Sequence, residues 1–360
     1  MKSSLFHYTT GSLDGLNIVG NHLKAEGWAV SLEDIPITEL RLAIDGLPVA
    51  SGLTSRLPSP DVHSALPHLE GTKSCRFAIE VDLSEAHMRR LSEGGLISLV
   101  PWIGDSPGVP WDRVWPLRLP IPTADESNKV GGGDFMTASF SSLSLFRLVA
   151  NLRPTESVLD AGCGLGRMAF ALAHYLGRDG RYEGFDISPA FIESASKRFS
   201  SFPNFNFRKV DVYNKAYNRH GKLRAADFTF PYDDDSFSFV LCNSVFTHML
   251  KAEVANYLKE LRRVIREDGR CFATFFIIDD EAEALIGQKR SSLDIRHEMP
   301  DGTLVTHRRL PEMAVAYREA DLRKMVEAAG FKIAQQHRGQ WPGRLKYLTY
   351  QDVCLLEPVR

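Results

Sequence analysis

Two textures of apolar spacing divide the chain. Up to about residue 120 the apolar positions come in short runs, many with a period of two, separated by turn residues. Leu16–Leu23, Glu26–Val30, Glu39–Ile44, Val49–Leu53 and Cys75–Leu83 read as strands on that pattern. Asp45-Gly46, between RLAI and LPVA, predicts a tight hairpin because both residues tolerate positive φ. RLPSPDVHSALPHLEG has three prolines and cannot be a central strand. Short strands at this spacing predict a small all-β sandwich over residues 1–120.

From residue 141 onward the period switches between helix and strand. SLFRLVANL has helical spacing, ESVLD is a short buried strand, RMAFALAHYL a helix and RYEGFDI a strand. PAFIESASKRF starts at Pro189, which suits a first helical turn. Phe205–Val210 and SFSFVLCN are strands, AEVANYLKELRRVI is a helix and RCFATFFII is a long strand. A helix over Ala320–Ala329 ends at Gly330, with strands FKIAQQHRG and DVCLLEPV behind it. The alternation predicts an α/β domain over 141–360, with a parallel sheet covered on both faces. The last two strands lack a helix between them and suit antiparallel pairing. Between the textures, residues 121–140 are polar with a triple glycine, the composition of a linker running into a functional loop.

Composition excludes more than it selects. The 360 residues are 44% hydrophobic and 24% charged, ordinary for a globular protein and unlike a disordered or fibrous one. Lys and Arg total 43 against 45 Asp and Glu, so the whole chain does not advertise a nucleic acid partner, which leaves room for a local basic patch. No run approaches the roughly 20 apolar residues of a membrane span, and the N-terminus lacks the apolar core of a secretory signal. The expectation is a cytoplasmic protein. Its five cysteines have no CxxC or zinc spacing, so they are expected to be reduced and buried, with no metal site.

The chemistry is concentrated in Val158-Leu-Asp-Ala-Gly162-Cys-Gly164-Leu-Gly166-Arg167. A buried strand runs into a glycine-rich turn and then a helix, a geometry that brings backbone close to a ligand and offers free N–H groups. The next strand ends at Asp186, 20 residues after Gly166, where a carboxylate can accept from two ribose hydroxyls. Such a turn fits a nicotinamide dinucleotide domain or a methyltransferase. The dinucleotide fingerprint wants its third glycine inside the helix, and here Arg167 stands after Gly-Cys-Gly-Leu-Gly. Asp160 before the turn repels phosphates and suits an ammonium.

With VLDAGCGLGR, GFDIS, FRKVDVYN, FPYDDDSFSFVLCNSVFTHM and LKELRRVIREDGRCFATFF in order, residues 130–360 resemble the class I S-adenosylmethionine-dependent methyltransferases. DVYN-x-x-YN, SVFTHM and the late G-x-W-x-G-R…YQD segment are similar to a bacterial subset of them. The resemblance implies a Rossmann-like seven-stranded sheet, mostly parallel with an antiparallel last strand. It implies S-adenosylmethionine as methyl donor and S-adenosylhomocysteine as product. Gly162, Gly164 and Gly166 would line that cofactor, and Asp160 would hold the amino end of its methionine part. Asp186 would take the ribose and Ile187 the adenine face. Asp211 would accept from the adenine amino group beside the Val212 backbone. Asn243 would lie under the sulfonium, and Phe135, after Gly131–Gly133, would cover the cofactor.

The N-terminal series GWAV…ELRLAIDGLPVA…PSPDVHSALP…CRFAIEVDL is similar to a β-sandwich module of bacterial surface-glycan assembly enzymes, over residues 15–85. It departs from that module at Arg76-Phe77, where Gly-Phe is usual. The two resemblances together imply O-methylation of a sugar or glycan precursor. A small metabolite or lipid-like acceptor is the alternative, as is a degenerate scaffold whose β-domain binds carbohydrate or a partner. A sugar hydroxyl needs a base, and His248 has the right intrinsic basicity, with Tyr213 as a second catalytic candidate. Tyr217, Tyr317, Trp341 and Arg344 are expected to bind the acceptor, Trp341 by stacking on a sugar ring. Asp233–Asp235 is expected to be a solvated turn, and Arg262, Arg263 and Arg266 a solvated helix face.

Overall fold

The computed structural model describes residues 6–52, 56–128 and 133–359. They form two compact units: Met1–Ile121 with Met136–Leu148, and Pro122–Phe135 with Val149–Arg360. Most of helix Phe135–Ala150 groups with the first unit, where Arg147 Nη1 donates to the fully buried Asp112 carboxylate at 2.7 Å.

In the first unit the strands are β1 Thr9–Val19, β2 His22–Ser31, β3 Glu39–Ile44, β4 Leu47–Gly52, β5 Arg76–Asp82, β6 Leu96–Ile103, β7 Ser106–Pro107 and β8 Trp111–Val114. They make two antiparallel sheets, β1-β2-β5 and β4-β3-β6-β7, with β8 on β6. Leu23, Ala25, Phe77 and Ile79 of one sheet share a core with Leu40, Leu42, Ile97 and Leu99 of the other. An N-terminal antiparallel β region is therefore present. The Asp45-Gly46 hairpin forms with φ of 46° and 76°. Leu16–Leu23 is corrected: a turn at Gly20-Asn21 splits it between β1 and β2. The unit is not all-β, since helices Pro60–Ala65 and Glu85–Ser92 also belong to it.

The second unit is built on β9 Ser157–Ala161, β10 Arg181–Asp186, β11 Phe205–Lys209, β12 Phe237–Cys242 and β13 Ile265–Phe275. It continues through β14 Ile277–Ile278, β15 His297–Glu298, β16 Leu304–Val305, β17 Val315–Arg318, β18 Phe331–His337 and β19 Asp352–Pro358. The seven-stranded sheet runs β11-β10-β9-β12-β13-β19-β18. Its first five strands are parallel, and β19 is antiparallel to both neighbours. The expected antiparallel last strand is therefore present. Every residue of β9 is buried, as expected for a strand covered on both faces. A second, four-stranded sheet, β14-β17-β16-β15, follows the long strand β13 and has no counterpart in the sequence reading.

The strand order reverses beside β9, where β10 pairs on one side and β12 on the other. In open α/β sheets, ligands bind at the carboxyl ends of the strands at that reversal. The glycine turn and Asn243 both sit at those ends.

Candidate functional site

The glycine turn is held from β10. Gly162 and Cys163 both donate their N–H to the Phe185 carbonyl, at 2.9 and 3.0 Å. Gly162, Gly164 and Gly166 have φ of 86°, 53° and 79°, the left-handed region that side chains disfavour. Helix Arg167–Tyr175 begins immediately afterwards. A Cβ on Gly162 would stand 2.4 Å from Val245 Cγ2, and one on Gly166 2.8 Å from Phe199. The bare backbone at both positions is therefore required by packing as well as by φ.

Asp186 ends β10 with both carboxylate oxygens anchored. One accepts from Gly164 N–H at 2.9 Å, the other from Ser188 N–H at 2.8 Å. Burial lifts its pKa above the usual carboxylate range, against the pull of the N–H groups of Ser188, Gly164 and Ile187. Each oxygen keeps a second lone pair, which leaves the fixed carboxylate able to accept from a pair of hydroxyls. Ile187 packs against the main core.

Asp160 is 1% exposed and accepts a 2.7 Å hydrogen bond from the Tyr182 hydroxyl. Burial pushes its carboxyl up to about 7; the Tyr182 bond opposes this and the Asp186 charge adds to it. An ammonium beside it would restore the ionised form. The residues present fit S-adenosylmethionine: an oriented carboxylate able to accept from ribose hydroxyls, a buried carboxyl able to face an amine, and a turn with glycine at three of its five positions.

Asp211 and Val212 follow β11. The Asp211 carboxylate is partly exposed, with Lys209 Nζ at 3.4 Å, and Val212 is buried. Asn243 directly follows β12. The next residue, Ser244, has φ 59°, gives its N–H to Thr274 Oγ1 at 2.7 Å and accepts from Gln351 Nε2 at 2.8 Å. Val245 then reaches back over Gly162. Ser244 and Gln351 thus pin the turn that carries Asn243; a non-glycine residue at positive φ has no sequence signature. Phe135 is 2% exposed and packs edge-on to Phe170, ring centroids 5.5 Å apart, with the Arg167 guanidinium 5.7 Å from its ring. It is a buried residue packed on the helix that follows the glycine turn. Gly131 and Gly132 lie outside the described residues.

His248 closes the single turn Phe246–His248. Its Nδ1 lies 2.8 Å from the Glu312 carbonyl. A carbonyl only accepts, so Nδ1 carries the proton and Nε2 holds the lone pair of the neutral ring. Burial lowers its pKa; the carbonyls of Glu312 and Met313 oppose the shift. The Tyr217 ring meets it edge-on at 5.2 Å. Tyr217 and Tyr213 are both exposed, and the segment carrying them is tied to the same turn by Asn214 Nδ2, which donates to the His248 carbonyl.

Three acceptor candidates are corrected. Tyr317 is fully buried, and its hydroxyl donates to the carbonyls of Phe246 and Met249. Trp341 is fully buried against Phe276 and donates Nε1–H to Asp352 at 2.7 Å. Arg344 is spent on Asp279, Glu281 and Asp352. None of these side chains faces solvent, so none is free to stack on or bond a ring. The organiser that sequence reading passed over is Asp352, fully buried, which accepts from Ile277, Gly339, Trp341 and Arg344. Arg263 is likewise more than a solvated residue: it bonds Glu260, Asp234 and the carbonyls of Phe230 and Tyr232.

Among the described residues there is no cluster of potential metal ligands and no helix long and apolar enough to cross a membrane. All five cysteines are free and buried.

Residues 152–330 match a family model described as a methyltransferase domain. An uncharacterized 37.1 kDa protein in transposon TN4556 of Streptomyces fradiae is 33% identical over 132 residues, 37% of this chain and 33% of that protein. A demethylmenaquinone methyltransferase of Symbiobacterium thermophilum is 27% identical over 120 residues, 33% of this chain and 42% of that enzyme. The chain thus spans well under two thirds of the curated relatives it matches. The PH0226 protein of Pyrococcus horikoshii aligns at TM-score 0.42 and 20% identity, covering 59% of this chain and 86% of that one.

Proposed function

From residues 152–330 being a methyltransferase domain of the S-adenosylmethionine-dependent class, we propose that this chain methylates a hydroxyl of a sugar or glycan precursor. S-adenosylmethionine, when bound, supplies a methyl carried on a sulfonium, already a good electrophile. What the protein must add is alignment and removal of the hydroxyl proton. Asp186 would orient the ribose, Asp160 the amine, and the Gly162–Gly166 turn would bring backbone to the ligand. His248 would take the acceptor proton on Nε2 as the oxygen–carbon bond forms and the carbon–sulfur bond breaks, leaving the electron pair on sulfur. Tyr213 would line the acceptor side, with Tyr217 against the base.

The observation that carries cofactor use is the Asp186 carboxylate fixed by Gly164 and Ser188 at the strand reversal. The neutral tautomer of His248 favours O-methylation. The sugar acceptor is supported by the N-terminal resemblance. Titration with S-adenosylhomocysteine on wild type and Asp186→Ala tests the cofactor site, followed by methyl transfer from labelled S-adenosylmethionine to nucleotide sugars. Micromolar binding lost in the variant supports the proposal. No binding by a folded protein overturns it.

A further inference from the structure

His248 stands between two basic segments. One is the insertion between β11 and β12. From Val212 to Ala226 it holds Lys215, Arg219, Lys222 and Arg224 and no acidic residue. The other is the turn before β17, which holds Arg308 and Arg309, with Glu312 as its one carboxylate. All six cations are exposed. The segments touch, because Lys215 Nζ donates to the Arg309 carbonyl at 2.6 Å. Each also touches the base: the insertion through the Tyr217 ring and Asn214, the turn through the Glu312 carbonyl.

Elsewhere in this unit some exposed cations are paired, as in Arg323–Glu319 and Lys332–Glu357, and others such as Lys197, Lys259 and Lys289 stand singly among the described residues. Here only Arg224 has a carboxylate, that of Asp227. Lys215, Arg219, Lys222, Arg308 and Arg309 make no ion pair among the described residues. The chain as a whole carries a formal charge of -2, so this concentration of positive charge is local. Cations without a carboxylate partner, carried on two touching segments, attract an anion. Arginine forks suit the paired oxygens of a phosphate.

We propose that the acceptor carries a phosphate or diphosphate group, which this basic rim holds while the hydroxyl to be methylated reaches His248. The inference rests on the functional reading above and narrows its acceptor to phosphorylated small molecules, such as nucleoside diphosphate sugars. The rim would bind the phosphates and the exposed Tyr213 and Tyr217 rings would offer stacking faces.

The test is calorimetric titration of the full chain, saturated with S-adenosylhomocysteine, using uridine diphosphate and inorganic pyrophosphate as separate probes. The variants are Arg308→Ala/Arg309→Ala and, independently, Arg219→Ala/Lys222→Ala. Both pairs are exposed, and unchanged S-adenosylhomocysteine affinity confirms that each folds. The expected result is binding weakened about tenfold or more in each pair and falling with added salt. Binding of pyrophosphate alone as well as of the nucleotide assigns the contact to phosphate; binding of the nucleotide only adds the base or sugar to the same rim. No binding of either probe, equal affinity in wild type and variants, or preference for a single-stranded oligonucleotide overturns the inference. Failure of S-adenosylhomocysteine to bind would instead remove the methyltransferase reading.

Discussion

Gly164 donates its backbone N–H to the Asp186 carboxylate across 2.9 Å, so the glycine turn after β9 and the carboxylate at the end of β10 form one unit. Ser188 N–H holds the second oxygen at 2.8 Å. The carboxylate is thus oriented before any ligand arrives, at no further entropic cost on binding.

Asp186→Ala should lower S-adenosylhomocysteine affinity at least about a hundredfold, since two hydrogen bonds to a charged group are worth about 1.5–3 kcal/mol each. It should also lower stability by about 2 kcal/mol or more, because the N–H groups of Gly164 and Ser188 lose their acceptor. Calorimetry and urea unfolding read the two effects separately. Retained affinity would remove Asp186 from the site.

Asp160 should make cofactor binding pH-dependent. Its carboxyl titrates near 7 in the folded chain, against 3.8 for a free one. An acid whose folded pKa is raised costs stability as pH rises from about 4 to about 7, because the unfolded chain ionises first. Asp160→Asn should therefore remove that loss and gain stability above pH 7, while weakening binding of the ammonium-bearing ligand. Unfolding curves at pH 5 and pH 8 test the first statement. An equal effect of the substitution at both would contradict it.

Gly162→Ala should destabilise the fold by about 1–3 kcal/mol, from the φ of 86° and from the methyl meeting Val245 Cγ2. Adding Val245→Ala should recover the steric part and leave the conformational part. Urea unfolding of the single and double variants separates them.

His248→Gln should lower kcat by about a hundredfold or more and leave S-adenosylhomocysteine affinity unchanged. Burial depresses the His248 pKa, so the acid limb of the wild-type rate profile should lie below pH 6.5 and vanish in the variant. By the same shift the unfolded chain binds the proton first, and stability from this group should be lost as pH falls below 6.5. A variant with the wild-type profile would exclude His248 as the base.

Asp352→Ala should cost about 3–5 kcal/mol, because it leaves Arg344 partly uncompensated and three further donors unmet in the core. A thermal shift of the full chain measures it. Asp352→Asn, which keeps part of the acceptor set, should fall between.

The alternation of helical and strand periods fixed the parallel half of the large sheet. So did the position of the glycine turn and of Asp186, because those depend on residues close in sequence. Glycines at the three positive-φ positions and a carboxylate closing the next strand are local requirements. The hairpin at Asp45-Gly46 was legible for the same reason. Leu16–Leu23 misled because the turn at Gly20-Asn21 interrupts an unbroken apolar spacing.

The late segment shows where local reading stops. Trp341 and Arg344 have the residue types of a sugar site, and no pattern reveals that both turn inward to Asp352. That outcome depends on β19 pairing beside β13, which brings Asp352 under Gly339, Trp341 and the start of β14. The same holds for His248. Its residue type and place after β12 are in the sequence, whereas its tautomer is set by a carbonyl 64 residues away. Sequence determined which groups can do chemistry, since that is a property of each side chain and its neighbours. The tertiary structure decided which of them remain free, since burial and long-range hydrogen bonds consume some and leave others.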